Sequence, residues 1–333
     1  IVMNFASMAS NPYHTTADNI KKVYLATDGL PQAVMLKGYG NEGHDSANSE
    51  YADIAEREGG VEDFQELIKI AHDYNTEIGI HVNAQEAYPE AASFNEEMLQ
   101  KPFSNGWGWL DQSQVIDKLW DLSSQARWKR FVQLYDRING TDFYSRKWPD
   151  AVENSLGEVN ATKEEIKKDA ESREDNMDFI YLDVWYQDAW ETRQIADEIN
   201  SLGWRFSTEF SAEGEYDSTW QHWSTDAAYG GATSKGYNSD IIRFIRNDQR
   251  DSQVLNYPQF GGTADNPLLG GYRLYGFEGW GGDKDYDNYI LQTFNQNLPT
   301  KFLQHYYVTD WENYEEGESP VGNHEKQITL RND

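Results

Sequence analysis

Two short apolar segments, separated by a helical pattern, stand out in the hydrophobic pattern of the chain. Residues 179–185 are a nearly unbroken apolar and aromatic run, residues 205–210 are a second short segment with two phenylalanines, and each contains one carboxylate near its end, Asp183 and Glu209. The apolar residues between these runs recur at helical spacing: Ala189, Ile195, Ala196, Ile199 and Leu202. This order predicts a β-α-β unit, the building block of a parallel sheet.

The same alternation extends over most of the chain. Further strands are predicted at 1–7, 33–39, 78–83, 227–231, 277–280 and 302–308, and helices at 61–75, 114–138, 239–248 and 285–297. Strands that alternate with helices over roughly 300 residues indicate an α/β fold of the (β/α)8 TIM barrel type, with a doubly wound open sheet as the alternative. Residues 1–311 are assigned to the barrel, with 151–176 as a surface insertion and 312–333 as a polar segment that leads toward an accessory domain.

Composition narrows the functional classes. The net charge is −29, which disfavours nucleic acid and anionic membrane partners because these require basic patches. The chain has no cysteine, which excludes disulfides and thiolate metal sites, and no apolar run long enough to span a membrane. It lacks the charged start of a signal peptide and is expected to be a piece of a larger protein. Aromatic residues make up 14% of the chain, a supply that suits stacking on sugars.

The two carboxylates near strand ends are the first candidates for chemistry. A parallel strand buried on both faces has little use for a charge, so Asp183 and Glu209 are costly unless they are functional. Neighbouring parallel strands lie about 4.8 Å apart, so groups at their carboxyl ends face one another across a few ångströms. Two carboxylates held in this way form the catalytic arrangement of a glycosidase.

Other polar residues follow predicted strand ends, which converge on one face of a barrel. They are Lys37, His44, Asp45, His81, Asn83 and Glu278. Simpler interpretations stay open, because Lys37 and Glu278 can form a structural ion pair and His81 can be a core histidine. Asn83 lies two positions after His81 and therefore on the same face, which favours a shared pocket for these two side chains.

Trp107 and Trp109 are separated by one glycine in a predicted loop. They either cover the core or form a mobile aromatic platform over a sugar site. Metal chemistry is less well supported, because no H-E-x-x-H or comparable spacing occurs. Asp283, Asp285 and Asp287 resemble the start of a calcium loop, but the later positions of that loop lack the required Gly and Glu. Acidic residues at a helix N-terminus are the better interpretation, and no cofactor is predicted.

Several longer motifs occur along the chain in one order. Among them are L-K-G-Y-G-N-E-G-H-D-S at 36–46, G-I-H-V-N-A at 79–84, W-L-D-Q at 109–112, Y-L-D-V-W at 181–185, G-E-Y-D-S-T-W-Q-H-W at 214–223 and P-L-L-G-G-Y at 267–272. With these motifs the sequence resembles the catalytic domain of the endo-α-N-acetylgalactosaminidases, glycoside hydrolase family 101.

The resemblance implies a (β/α)8 barrel that releases Gal-β1,3-GalNAc from Ser or Thr of mucin-type O-glycoproteins with retention of configuration. It implies Asp183 as the nucleophile and Glu209 as the acid/base. It also implies that Asp45 and His81 contact the sugar and that the two tryptophans form a lid. Members of this family are bacterial proteins that are secreted or attached to the cell surface, so the same localisation is expected here.

Four positions depart from the family pattern. Tyr186 stands where a Gly follows the strand, Phe210 and Ser211 stand where Trp-Gly follows the glutamate, and Gly281 replaces a Gln. These changes lie in the expected walls of the sugar site and predict a relaxed preference for the core disaccharide. Two alternatives from other classes are a non-catalytic sugar-binding barrel and an α-glucan-active enzyme, the latter by fold analogy alone.

Overall fold

The computed structural model describes most of the first two thirds of the chain and short segments beyond. It describes residues 2–5, 11–41, 43–47, 49–108, 112–147, 156–210, 214, 217–222, 285–299, 307–311 and 328–331. The elements predicted at 227–231, 239–248 and 277–280 lie outside the described residues, as do Trp109 and Glu278.

The described segments contain strands and helices in the following order. The strands are β1 (Val2–Phe5), β2 (Gln32–Leu36), β3 (Thr76–Asn83), β4 (Glu86–Ala87), β5 (Asn105–Gly108), β6 (Gln112–Val115), β7 (Phe179–Asp183), β8 (Arg205–Thr208), β9 (Trp220–Gln221), β10 (Tyr307–Trp311) and β11 (Ile328–Arg331). The helices are α1 (Tyr13–Ala26), α2 (Gly60–Asp73), α3 (Lys118–Ser124), α4 (Ala126–Asn139), α5 (Lys163–Glu171), α6 (Ala189–Ser201) and α7 (Tyr286–Gln292).

The chain divides into two compact units. The first comprises residues 1–185, 193–207 and 276–284, and the second comprises residues 186–192, 208–275 and 285–333. The first unit contains a parallel sheet with the strand order β1-β2-β3-β7-β8. It also contains a small antiparallel sheet with the order β4-β6-β5, and in the second unit β10 pairs antiparallel with β11. The sheet is not closed into a barrel within the described segments.

The centre of the first unit is a sheet buried by helices. All residues of β7 are buried, and in β3 every residue except Glu77 is buried, as expected for parallel strands covered on both faces. Strands β3 and β7 can pair closely because residue 79 is a glycine. A Cβ at this position would overlap the ring of Phe179. Helices α1 and α2 contact through a T-shaped pair of Tyr13 and Phe64, with ring centroids 5.3 Å apart.

The predicted β-α-β unit is confirmed as β7, α6 and β8. Strand β7 ends at Asp183, two residues earlier than predicted, because Val184 has a left-handed φ of 51° that no strand accommodates. The single long helix predicted at 114–138 is wrong. Gln125 has a φ of 55° and separates α3 from α4, and the first residues of that range belong to β6.

The charged stretch predicted as an insertion contains helix α5. Thr162 and Glu165 form a capping box at its start, and only Ile166 and Ala170 are buried. Two apolar positions in one turn are too weak a periodic signal to predict a helix. At the start of α7, the Asp285 side chain accepts hydrogen bonds from two backbone N–H groups, in agreement with a helix cap. None of the helices in the described part of the chain is long and apolar enough to cross a bilayer.

Candidate active site

The candidate residues on the central strands share one face of the sheet. In the register of β3 and β7, His81 lies opposite Tyr181 and Asn83 lies opposite Asp183. Lys37 follows Leu36 directly, and Leu36 is the register partner of Ile80, so Lys37 points to the same side as His81. The alternation of side chains along parallel strands therefore collects a cation, an imidazole, an amide and a carboxylate at one edge of the sheet.

The loop after β2 returns to this edge through a series of left-handed residues. Asn41, Gly43, Asp45 and Ala47 have φ values of 55°, 120°, 55° and 46°. The loop buries His44 and Asp45, which are 3% and 1% exposed. Non-glycine residues in this region cost free energy, and such strain is concentrated at functional sites.

Asp183 is held as a carboxylate by its neighbours. Its Oδ2 atom lies 2.9 Å from Nε2 of His81, a side chain that is 1% exposed. Burial opposes ionisation of Asp183, but the charge and close contact of His81 together with the charge of Lys37 outweigh it and hold the pKa of Asp183 well below its usual range. The ring of His81 stacks on Tyr181 at 5.7 Å, which fixes its orientation.

His44 and Asp45 are buried polar groups of a different kind. Burial, with the nearby charges of His81 and Lys37, lowers the pKa of His44 to about 2, so its imidazole is neutral. Burial raises the pKa of Asp45 to about 6, from an ordinary value of 3.8. Among the described residues neither oxygen of Asp45 has a hydrogen-bond partner, and Nδ1 of the neutral His44 lies 3.4 Å from its Oδ2. A carboxylate in this condition is suited to accept hydrogen bonds from a ligand.

The cluster has the donor types of a metal site, and the fit is only partial. His44, Asp45, His81 and Asp183 can each bring one atom to within 4.8 Å of the other three. Two imidazoles and two carboxylates would suit Zn²⁺ in tetrahedral geometry. However, Nε2 of His81 already contacts Asp183, and the charge of Lys37 acts on both aspartates. The arrangement is that of a hydrogen-bonding pocket in which the neighbours of Asp183 hold it ionised.

The remaining candidates divide between the two units. Trp107 belongs to β5 in the first unit, with 54% of its surface exposed, which excludes a role in the core. Glu209 follows β8 by one residue; it is half-buried and belongs to the second unit. Next to it in the chain, Phe210 stacks on Tyr186 at 4.2 Å within that second unit.

Comparison with known proteins identifies the family. The sequence profile described as endo-alpha-N-acetylgalactosaminidase, glycoside hydrolase family 101, matches residues 1–290. The chain belongs to glycoside hydrolase family 101. A relative from Renibacterium salmoninarum, provisionally named endo-alpha-N-acetylgalactosaminidase, is 33% identical over 93% of this chain. This family 101 chain spans only 18% of that relative's length.

One solved structure has a similar fold over most of this family 101 chain. The alpha-N-acetylgalactosaminidase NagBb from Bifidobacterium bifidum, in complex with GalNAc, is similar over 94% of this chain and 52% of its own, with a TM-score of 0.56 and 11% identity. At that identity the similarity concerns the α/β fold with its parallel sheet.

Two features of the site escape sequence reasoning. Val184, directly after Asp183, is a β-branched residue in the left-handed region, a strained conformation that ends β7 at the carboxylate. Glu86 is 4% exposed and accepts hydrogen bonds from Asn83 and from the backbone of Trp107. Its only sequence signal is a carboxylate three residues after Asn83, between residues that are buried in the structure.

Asp45→Asn is expected to stabilise the family 101 chain at neutral pH. Because folding raises the pKa of Asp45, ionisation of this carboxyl destabilises the folded protein. The loss of stability grows as pH rises from about 4 to about 6 and stays constant at higher pH. Asparagine has the same shape and tolerates the left-handed φ, so the free energy of unfolding at pH 7 should rise by about 3 kcal/mol. Denaturant unfolding at pH 4 and pH 7 measures the difference.

The gain should vanish below pH 4, where wild-type Asp45 is protonated as well. Asp18→Asn, at an exposed position of α1, is the matched control and should change stability by less than about 0.5 kcal/mol at both pH values. Destabilisation by Asp45→Asn at pH 7 would mean that the carboxylate is satisfied in the folded protein.

Proposed function

We propose that this chain is the catalytic region of a retaining endo-glycosidase. The enzyme releases Gal-β1,3-GalNAc from Ser or Thr of mucin-type O-glycoproteins, with Asp183 as the nucleophile and Glu209 as the acid/base. As in the family it resembles, it works on the surface of or outside a bacterial cell and needs no cofactor. Secretion and surface attachment are carried by this analogy alone.

The observation that carries the proposal is the buried Asp183–His81 pair. A carboxylate nucleophile must be ionised when the substrate arrives, and the positive surroundings of Asp183 favour that state. The side chains beside it offer neutral and ionised acceptors and a cationic donor, which match the hydroxyl and acetamido groups of an amino sugar. Such fixed polar groups select one sugar, because a ligand without the matching groups leaves them without hydrogen-bond partners.

The strand order supports a (β/α)8 barrel over a doubly wound sheet. In the first unit β1, β2, β3, β7 and β8 lie in sequence order and run parallel, joined by the helical connections of the described segments. A doubly wound sheet would reverse its order at a switch point, which does not occur along these strands. In a barrel the carboxyl ends of the strands form the active-site face, and Lys37, Asn83 and Asp183 are all found at or just beyond such ends.

An aryl glycoside carrying α-linked Gal-β1,3-GalNAc tests the proposal. Release of the intact disaccharide supports the endo-glycosidase. Binding without release would favour the sugar-binding alternative, and activity on maltooligosaccharides in its place would favour the α-glucan enzyme. EDTA is expected to leave the rate unchanged, because the chemistry assigned to the carboxylates needs no ion.

A related specificity is supported by the aromatic pair of Tyr186 and Phe210. Tyr186 is 69% exposed and stacks on Phe210, at two positions that depart from the family pattern. An apolar wall makes fewer hydrogen bonds to galactose than a polar one, so rejection of other core glycans should weaken. In a panel of aryl glycosides, measurable release of GalNAc alone or of another core disaccharide is the expected sign. Discrimination as sharp as in a relative with the family pattern would contradict it.

Trp107→Ala is expected to weaken catalysis with little effect on stability. An exposed indole beside a sugar site contributes by stacking and by excluding water, and it contributes little to the core. We expect kcat/KM to fall at least about tenfold, equivalent to 1.4 kcal/mol, and Tm to change by less than about 2 °C. Steady-state kinetics and thermal unfolding measure the two effects.

Phe103→Ala is the matched control for Trp107→Ala. Phe103 is 56% exposed and precedes β5, outside the antiparallel sheet, so its loss should leave kcat/KM within a factor of two. A large fall in Tm for Trp107→Ala with normal kinetics would make this tryptophan a structural residue.

A further inference from the structure

Glu86 lies at the junction between the carboxylate-bearing sheet and the segment that carries Trp107. It begins β4 three residues after Asn83, whose register partner is Asp183. Asn83 Nδ2 donates to Glu86 Oε2 at 2.8 Å, and Asn83 Oδ1 accepts from the backbone N–H of Glu86 at 3.2 Å. Glu86 is therefore fixed to the strand end that bears the site.

From this position the carboxylate reaches across β6 to β5. The register of β5 and β6 shifts by one residue between Asn105 and Gly108, which is a β-bulge that releases the N–H of Trp107 from the ladder. That N–H donates to Glu86 Oε1 at 3.0 Å. The hydroxyl of Ser113 on β6 lies 2.9 Å from Glu86 Oε2 and 2.8 Å from the Trp107 carbonyl, and its one proton bonds to either oxygen.

The packing around these hydrogen bonds is tight. Ser113 is fully buried and Glu86 is 4% exposed. Gly106 approaches so closely that a Cβ at that position would overlap both side chains. A buried carboxylate accepting charge-assisted hydrogen bonds is a strong and directional tether, whereas the indole of Trp107 remains exposed.

We propose that Glu86 is a positioning residue that fixes the backbone of Trp107 relative to Asp183 and so presents the indole to the bound sugar. This inference rests on the proposed glycosidase function. Its action is indirect, because the carboxylate is buried and bonded to protein groups on both oxygens. Its loss should free the β5–β6 segment, reduce stacking on the substrate and leave the chemical step intact.

Glu86→Gln tests the tether with minimal change in shape. Whichever way the new amide is oriented, its NH₂ faces either the Asn83 amide or the Trp107 N–H, so one donor meets another donor. We expect amide hydrogen exchange of β5 (105–108) and β6 (112–115) to become at least tenfold faster and exchange of β3 to stay unchanged. With the aryl disaccharide substrate KM should rise roughly five- to tenfold, while kcat stays within threefold.

Two further variants sharpen the test. Ser113→Ala removes the hydroxyl but leaves the bond from the Trp107 N–H to Glu86, so it should give an intermediate increase in exchange and in KM, even if Glu86→Gln folds poorly. Gln114→Ala removes only an exposed bond to Asn105 in the same segment, 2.9 Å long, and is the matched control with little change.

Unchanged exchange in both Glu86→Gln and Ser113→Ala would overturn the inference, as would faster exchange with unchanged KM. A purely structural role would lower kcat at constant KM, because fewer molecules are folded, and would speed exchange in α2 as well; this result would also overturn it. Exchange is measured without substrate, so a wild-type protein that is inactive on all glycosides would count against the proposed function alone.

Discussion

Asp183→Asn is expected to abolish turnover of every glycoside substrate, including those with activated leaving groups. The amide cannot form the glycosyl ester through which a retaining enzyme passes, so kcat should fall by at least about 10⁴-fold. The variant should also be less stable at pH 7, because Lys37 and His81 lose the negative charge that compensates them. Breaking a buried charge pair in this way costs about 3 kcal/mol.

The matched comparison is Asp45→Asn, the same chemical change in the same buried cluster. It should raise stability, whereas Asp183→Asn lowers it. The surroundings of Asp45 disfavour its ionised form, and those of Asp183 favour it. Residual turnover of a dinitrophenyl glycoside at more than a hundredth of the wild-type rate would remove Asp183 from the role of nucleophile. Equal stability changes in the two variants would contradict the electrostatic assignment of the site.

The parallel sheet was predictable because its strands are local apolar runs. All positions of β7 are buried, so its sequence is apolar whichever elements pack against it, and its one carboxylate stands out. The break between α3 and α4 was not predictable from periodicity. Gln125 adopts a left-handed conformation there, although glutamine is an ordinary helix former, so the turn is set by tertiary packing and not by the residue type.

The site was partly predictable for the same physical reason. His81, Asn83 and Asp183 follow from strand alternation and register alone. The contact between Asn83 and Glu86 depends on a sharp turn after β3, and the link to Trp107 depends on a β-bulge in β5, neither of which has a sequence signature here. The charge states of the two aspartates could not be predicted from the sequence either. The opposite pKa shifts of Asp45 and Asp183 arise from burial and from distances to the same cations.

Glu209→Ala is expected to separate the two halves of the reaction. Release of Ser or Thr requires a proton on the glycosidic oxygen, so the rate on a natural O-glycan should fall by about 10³-fold. A dinitrophenyl leaving group needs no proton, and the glycosyl-enzyme should still form from such a substrate. Glu209→Gln, which preserves shape and removes the acid, is the control and should behave in the same way.

Azide then decides between the two carboxylates. In a retaining mechanism the sugar is held on Asp183 in the inverted configuration, and the empty space left by Glu209→Ala admits azide to the opposite face. Turnover of the dinitrophenyl glycoside should be restored, and the product should be the α-glycosyl azide, identified by its anomeric coupling constant in the NMR spectrum. A β-azide, or rescue of an Asp183 variant in place of the Glu209 variant, would reverse the assignment, because azide would then be replacing the nucleophile.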